Sequence, residues 1–174
     1  MARERDDVVI RPATAADAAP LARVHIDAWR VAYRGLVPDE RLETLDYRRR
    51  EAMFLRSTRD GPEETYVVLE AGTVVGFLTL GRCRDEDVDA EFVSEIWGVY
   101  LAPGRWRRGL GTRLCRYGES LLRAHGCRSA VLWVFAGNAN ARRFYEAMGY
   151  APDGASKILE VGKPLEAIRY RRDL

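Results

Sequence analysis

The decapeptide GRWRRGLGTR, residues 104–113, holds three glycines and four arginines. Glycine lets a backbone approach a ligand closely, and arginine presents planar donor pairs that match phosphate or carboxylate oxygens. Three phosphate-binding patterns compete for this stretch. Gly104 to Gly109 has the G-x-x-x-x-G spacing of a nucleotide-hydrolysing loop, but Leu110 and Gly111 stand where a lysine and a magnesium-binding hydroxyl must follow. Gly109-Leu110-Gly111 opens like a dinucleotide fingerprint, yet its sixth position is Leu114 and the chain before it reads as a β-meander. What remains is a strand, EIWGVYL (95–101), an arginine-rich turn, and a helix that starts at the glycines. Helix N-termini leave amide N–H groups free and their dipole favours anions. Residues Arg107, Arg108, Gly109, Leu110, Gly111 and Thr112, with Trp106 before them, read equally well as a cradle for a diphosphate or as a glycine-containing helix start with solvated arginines.

Working outward, TYVVLEAGTVVGFLTLGR (65–82) is two strand-like runs separated by Ala71-Gly72, a hairpin signal, and FVSEIWGVYL (92–101) is the next strand, stopped by Pro103. After the loop, Leu110, Leu114, Tyr117, Leu121 and Ala124 mark one face of a helix closed by Gly126. SAVLWVF (129–135) is apolar throughout, as expected of a strand covered on both faces. NANARRFYEAMGY (138–150) is a helix capped by Asn138, with Ala141, Phe144, Tyr145 and Met148 along one face. KILEVGKPLEAIRYRRDL (157–174) is a strand pair around Gly162-Lys163-Pro164. Toward the N-terminus, VVIRPAT (8–14) is a strand ended by Pro12. A helix capped by Thr14 or Asp17 follows, with Leu21, Val24, Ala28, Val31 and Ala32 inward, then a short helix near Pro38. YRRREAMFLRST (47–58) is a third helix, with Met53 and Leu55 facing in. The order β-α-α-α-β-β-β-α-β-α-β-β predicts one α/β domain over residues 1–174, a mixed, mostly antiparallel sheet flanked by helices.

Composition narrows the function classes. The 174 residues are 47% hydrophobic and 31% charged, with a net charge of only +2, which argues against nucleic acid as the main partner. Cys83, Cys115 and Cys127 include no C-x-x-C pair, so neither a zinc site nor a disulfide framework is expected, and no metal is assigned. The opening MARERDDVV lacks an apolar signal region, and no apolar run approaches membrane-spanning length. A cytoplasmic location without a membrane partner is the expectation. The acidic run Asp85, Glu86, Asp87, Asp89 reads as a solvated turn, with attraction of a cationic amine as the competing reading.

The chain resembles the GCN5-related N-acetyltransferase (GNAT) superfamily. The residues that carry the resemblance are EIWGVYLAPGRWRRGLGT (95–112), followed at the family spacing by NANARRFYEAMGY. The first motif corresponds to a strand, a [Q/R]-x-x-G-x-[G/A] loop that holds the pyrophosphate of acyl-coenzyme A, and a helix. The second corresponds to N-x-x-A-x-x-F-Y-x-x-x-G-[F/Y], and it is the more specific. VIRPATAADAAPLARVHIDAWRVAYRGLVPDE (9–40) also looks like the start of many bacterial members. One departure is Trp106, where the family usually has Gln or Arg. The resemblance implies the GNAT fold and acetyl-coenzyme A as the acyl donor. It also implies acetyl transfer by direct attack of a primary amine in a ternary complex. The acceptor is a small amine or an exposed amino group. A homodimer is common among similar proteins. The alternative class is an inactive domain that binds or senses acyl-coenzyme A.

Acyl transfer from a thioester to an amine needs a neutral amine, a stabilised oxyanion and a proton for the departing thiolate. Tyr145 suits the last demand, since a phenol stays protonated at neutral pH, and the resemblance implies the same role. Asn138 lies seven residues earlier on the same helix face and is expected to hold the pantetheine arm, with Asn140 ranked second. By resemblance, the backbone of Val99, Tyr100 and Leu101 pairs with the pantetheine amides, and the strand bulges and splays near Gly98. Glu95 shares a strand face with Trp97, Val99 and Leu101 by period two, which makes it the candidate base; a structural salt bridge is the competing reading. Trp29 and Tyr33, one turn apart, are candidates for an acceptor wall, and core packing accounts for them equally well.

Overall fold

The computed structural model describes residues 8–174; the opening Met1–Asp7, read above as carrying no export signal, lies outside them. The strands are β1 (Val8–Pro12), β2 (Glu64–Glu70), β3 (Thr73–Arg82), β4 (Val93–Leu101), β5 (Ser129–Phe135), β6 (Ala151–Glu160) and β7 (Pro164–Asp173). The helices are α1 (Ala18–Ala32), α2 (Asp39–Glu43), α3 (Tyr47–Asp60), α4 (Leu110–Ala124) and α5 (Ala139–Ala147). Element order follows the expected one. The strands form a single sheet in the order β1-β2-β3-β4-β5-β7-β6, and only the β4–β5 pair is parallel. The β2–β3 hairpin turns on Ala71-Gly72, both at positive φ, the turn whose twist suits flanking strands.

Apolar side chains fill both faces of this sheet, which is what makes it a three-layer domain. On one face Leu110, Leu114, Cys115 and Leu122 of α4 pack with Leu78, Leu80, Ile96 and Leu132 of the sheet, joined by Phe144 and Tyr145 of α5. On the other, Leu21, Ala22 and Val24 of α1 and Phe54 of α3 pack with Val67 and Phe77. Two helical faces differ from the expected ones. Val31 and Ala32 are exposed because they sit in the last turn of α1, past its buried stretch from Leu21 to Ala28, and in α3 the buried residue is Phe54, with Leu55 turned outward.

The start of α1 is pinned by a half-buried ion pair. Asp17 accepts from both terminal nitrogens of Arg11 at 2.7 and 2.9 Å and from the Thr14 N–H at 2.8 Å. The Arg11 guanidinium is the main reason its carboxyl is held at about 2. Strand β6 begins at Ala151 rather than near Lys157, because its register jumps between Pro152 and Ser156. The extra residues carry Asp153 to Arg169 on β7, where its Oδ2 accepts from Nε at 2.7 Å. Pro152 and Gly154 read locally as a turn, and only the partner strand makes this stretch part of a β-strand.

Candidate active site

Two irregularities in the sheet create the site. β4 and β5 pair for only three residues, ending at Glu95 and Val131, and then separate. Within β4 the register against β3 shifts so that Thr79 faces Gly98 while Leu80 faces Ile96, leaving Trp97 as an extra, bulged residue. A bulge bends its strand and re-aims the side chains beyond it. The separation opens a cleft of about 680 Å³ that passes between the strands and is lined from both faces of the sheet. That volume is in the range of small-molecule sites.

One end of the cleft is the glycine–arginine loop. The loop curls through two left-handed residues, Arg107 at φ +59° and Gly109 at φ +80°. A non-glycine in that region is strained, and such residues concentrate at binding sites. Gly109 is the N-cap of α4, and the next N–H groups, on Leu110, Gly111 and Thr112, are the orphan donors of the first turn. Gly111 lies so close to α5 that a Cβ there would sit 3.3 Å from Phe144 Cζ. Arg107 and Arg143 border this end. Arg108 turns away and approaches Glu70 at 3.7 Å, a carboxylate shared with Arg105 at 3.1 Å. Leu110 buries its side chain in the core, so only its backbone belongs to the loop. Trp106 folds back, and its indole N–H donates to the Leu101 carbonyl at 2.9 Å.

The middle of the cleft is the open edge of β4. The Ala102 N–H donates to the Val75 carbonyl at 2.9 Å, so that peptide group faces β3. Alternation along an antiparallel ladder then turns the peptide groups of Tyr100 toward β3 and those of Val99 and Leu101 toward the gap. Opposite this edge, α5 presents Asn138, Asn140 and Tyr145. Asn138 caps α5 by accepting from the Ala141 N–H at 3.2 Å, which leaves its amide donors available. Asn140 is exposed and accepts from Arg143 at 2.9 Å. The Tyr145 phenol is pushed well above its ordinary pKa, mainly by burial and further by Cys115, Tyr33 and Tyr100. It is a neutral O–H donor throughout the physiological range.

The far end lies on the α1 face. Tyr33 lines it and meets Phe135 edge-on at 5.2 Å; burial raises its pKa as well. Trp29 stands one turn behind, edge-on to Tyr33 at 4.7 Å and stacked on His25 at 5.4 Å, outside the lining. Tyr100 folds its ring over Gly98, where a Cβ would lie 2.5 Å from Tyr100 Cε2. Trp97 and Trp133, not singled out from the sequence, line the opening from β4 and β5. Trp133 was hidden in an evenly apolar run, and Arg143 lies off the helix face that Ala141, Phe144, Tyr145 and Met148 mark.

The bulge also decides where Glu95 goes. Val99 and Leu101 pack on the α4 side of the sheet, whereas Tyr100 joins the α1 side. A Cβ on Gly81, the cross-strand partner of Glu95, would lie 3.5 Å from the Trp97 ring, so Glu95 and Trp97 share the α1 side without Val99 and Leu101. The Glu95 carboxylate is 1% exposed and is held by Arg84, whose Nε and backbone N–H reach Oε2 at 3.0 and 3.1 Å and whose terminal nitrogen meets Oε1. It is not among the groups lining the cleft. The acidic turn is solvated in part, with Glu86, Asp87 and Asp89 exposed, but two of its carboxylates are also ion-paired: buried Arg169 contacts Asp85 at 3.1 Å and Asp87 at 2.6 Å, and it meets Asp153 at 2.7 Å. Among the described residues no cluster of His, Cys, Asp and Glu is arranged to hold a metal ion, and no helix is long and apolar enough to cross a membrane.

An open mixed sheet split between its central strands, with a helix N-terminus at one end of the split, defines an acetyltransferase fold. The model of the acetyltransferase (GNAT) family matches residues 24–150, and the chain belongs to that family. It is 32% identical over 147 residues to the uncharacterized N-acetyltransferase YuaI of Bacillus subtilis, covering 84% of this chain and 80% of that protein. In fold it is similar to the PaiA N-acetyltransferase of Thermoplasma acidophilum in complex with coenzyme A, with a TM-score of 0.77 at 19% identity over 97% of this chain and 99% of that one. It is also similar to yncA of Salmonella typhimurium with its cofactor acetyl-CoA, with a TM-score of 0.72 at 23% identity over 97% and 94% of the two chains.

Proposed function

We propose that this protein transfers an acetyl group from acetyl-coenzyme A to a primary amine, by direct attack in a ternary complex, with Tyr145 as general acid to the leaving sulfur. The observation that carries the reading is the through-cleft between β4 and β5. It joins an anion cradle at one end to a protonated phenol and an aromatic chamber at the other.

The residues fit coenzyme A on their own chemistry. Orphan amides of Leu110, Gly111 and Thr112, with Arg107 and Arg143 beside them, suit a diphosphate. The peptide groups of Val99 and Leu101 offer an extended ligand the pairing of a missing strand. Trp106 takes one of those carbonyls, so a ligand meets one acceptor fewer there than a plain strand edge would give. Asn138 is placed to donate to an amide oxygen along the arm. When bound, the thioester supplies an activated acetyl group. The protein's part is to align it, exclude water with the Tyr33, Trp133 and Phe144 walls, and give the sulfur a proton from Tyr145.

Free-thiol release with acetyl-coenzyme A and an amine panel tests this reading, together with the variant Tyr145→Phe. Removing a general acid should lower turnover about 100-fold or more, while acetyl-coenzyme A binding by calorimetry changes little. Turnover unchanged across neutral and alkaline pH would remove Tyr145 from the mechanism, and failure of coenzyme A to bind would overturn the activity itself.

A further inference from the structure

The charged and titratable groups around the cleft constrain which amine it can take. Facing the cavity are three phenols, Tyr33 from the end of α1, Tyr100 from β4 and Tyr145 from α5, and the arginines Arg107 and Arg143 at the phosphate end. Among the described residues that line it there is no carboxylate and no imidazole. Two carboxylates behind the walls are committed elsewhere: Glu95 to Arg84, and Asp85 to Arg169, Lys157 and the Trp133 indole N–H. His25, although buried beside Tyr100, sits in an aromatic box of Trp29, Phe54 and Phe77.

The two indoles at the opening carry a second constraint. Trp97 already has the Arg84 guanidinium over its ring at 4.2 Å, and Trp133 has the Lys157 ammonium at 3.8 Å. A ring face holding one cation attracts a second weakly, because the two cations repel each other through the ring. An ammonium arriving here would lose water without gaining a counter-charge, which is unfavourable in an apolar chamber.

Proton balance leads to the same place. A neutral amine forms the N–C bond, the C–S bond breaks, one proton leaves nitrogen and one reaches sulfur. Nothing is left over, so Tyr145 can give its proton to sulfur and be refilled by the one nitrogen sheds. An ammonium brings one further proton, and no side chain lining the cleft is a base that would remove it at neutral pH.

Resting on the acetyltransferase reading, we infer that the acceptor is a weakly basic primary amine on a flat apolar body, of the arylamine class, taken up uncharged in the part of the cleft that Trp97 and Trp133 line. Cationic alkylamines and polyamines are excluded as preferred acceptors by the same features.

The test is a thiol-release panel on the full chain with acetyl-coenzyme A. It uses substituted anilines, α-amino amides and alkylamines in order of rising basicity, from about pH 6 to about pH 10. The expected result is that at neutral pH anilines exceed alkylamines of similar size at least about tenfold in kcat/KM. Each amine's kcat/KM should rise about tenfold per pH unit up to that amine's own pKa and then level. A binding readout accompanies it: calorimetry of an α-amino amide into the coenzyme A complex, in two buffers of different ionisation enthalpy, should show about one proton released per amine bound below its pKa. One midpoint shared by all amines and abolished in Glu95→Gln, binding without proton release, or preference for alkylamines at neutral pH would each overturn the inference while leaving acetyl transfer intact. Absence of coenzyme A binding would instead sink the acetyltransferase reading on which it rests.

Discussion

His25 is the side chain whose ionisation the fold restrains most plainly. It is 6% exposed, stacked between Trp29 and Phe77, and its Nδ1 has no hydrogen-bond partner among the described residues. Burial, helped by Arg50, lowers its pKa to about 3. The unfolded chain therefore binds a proton below about pH 6.5 that the native state refuses, so this contribution is present above that pH and is lost as pH falls. Between about pH 6 and pH 4, denaturant titrations should show stability falling about 1.4 kcal/mol per unit more steeply in the native chain than in His25→Leu. Equal slopes would mean His25 titrates normally. Asp17, held at about 2 by Arg11, adds its own loss only at lower pH. Gly111 is a second residue whose identity is set by its surroundings. With Phe144 at 3.3 Å from a notional Cβ, Gly111→Asp brings both crowding and a negative charge to the anion cradle. Acetyl-coenzyme A should then bind at least about tenfold more weakly by calorimetry, which is only about 1.4 kcal/mol.

Between elements, Arg169 is what holds the β3–β4 connection down on β7. Its guanidinium is 6% exposed and shared among Asp85, Asp87 and Asp153, with Asp85 also accepting from the Trp133 indole. Removing one member of a buried charge cluster leaves the rest uncompensated, at a cost of about 3–5 kcal/mol. Arg169→Met should therefore lower unfolding free energy by about 3 kcal/mol, whereas Asp87→Asn, at a carboxylate 61% exposed, should change it far less. Comparable losses would show that the cluster does not act as a buried unit. This interaction was not legible in the chain: Asp85 and Arg169 are 84 positions apart, and a run of acidic residues reads locally as a solvated turn. The helix ends were legible, because the Asn138 cap, the glycines at 109 and 111 and the Ala71-Gly72 turn act within a few residues of themselves.

For the molecule as a whole, the site is a gap between its central strands, and a ligand that fills the gap bridges the two halves of the sheet. Coenzyme A binding the native state alone should raise stability by about 2.7 kcal/mol at a hundred times its dissociation constant. For a chain of this size that is a rise of roughly 5–10 °C in melting temperature. Thermal scans should show this rise in the native chain and its collapse in Gly111→Asp. A rise of equal size in both would place the ligand away from the α4 N-terminus. The sheet order itself, with β7 inserted between β5 and β6, follows from no local signal, since hairpin partners were expected only to be adjacent.

By itself, the amino-acid sequence determined the element order, the α/β class, the helix that starts at the glycines and the place of Tyr145 on α5. Each of these rests on a periodicity, a cap or a motif contained within one segment. Tertiary structure alone decided that Trp97 bulges, that Glu95 is held by Arg84, that Arg108 turns toward Glu70, and that two cation-capped indoles line the cleft. One extra residue in a strand inverts the face of everything beyond it, and ion pairs join side chains far apart in the chain. Neither leaves a trace in a local pattern.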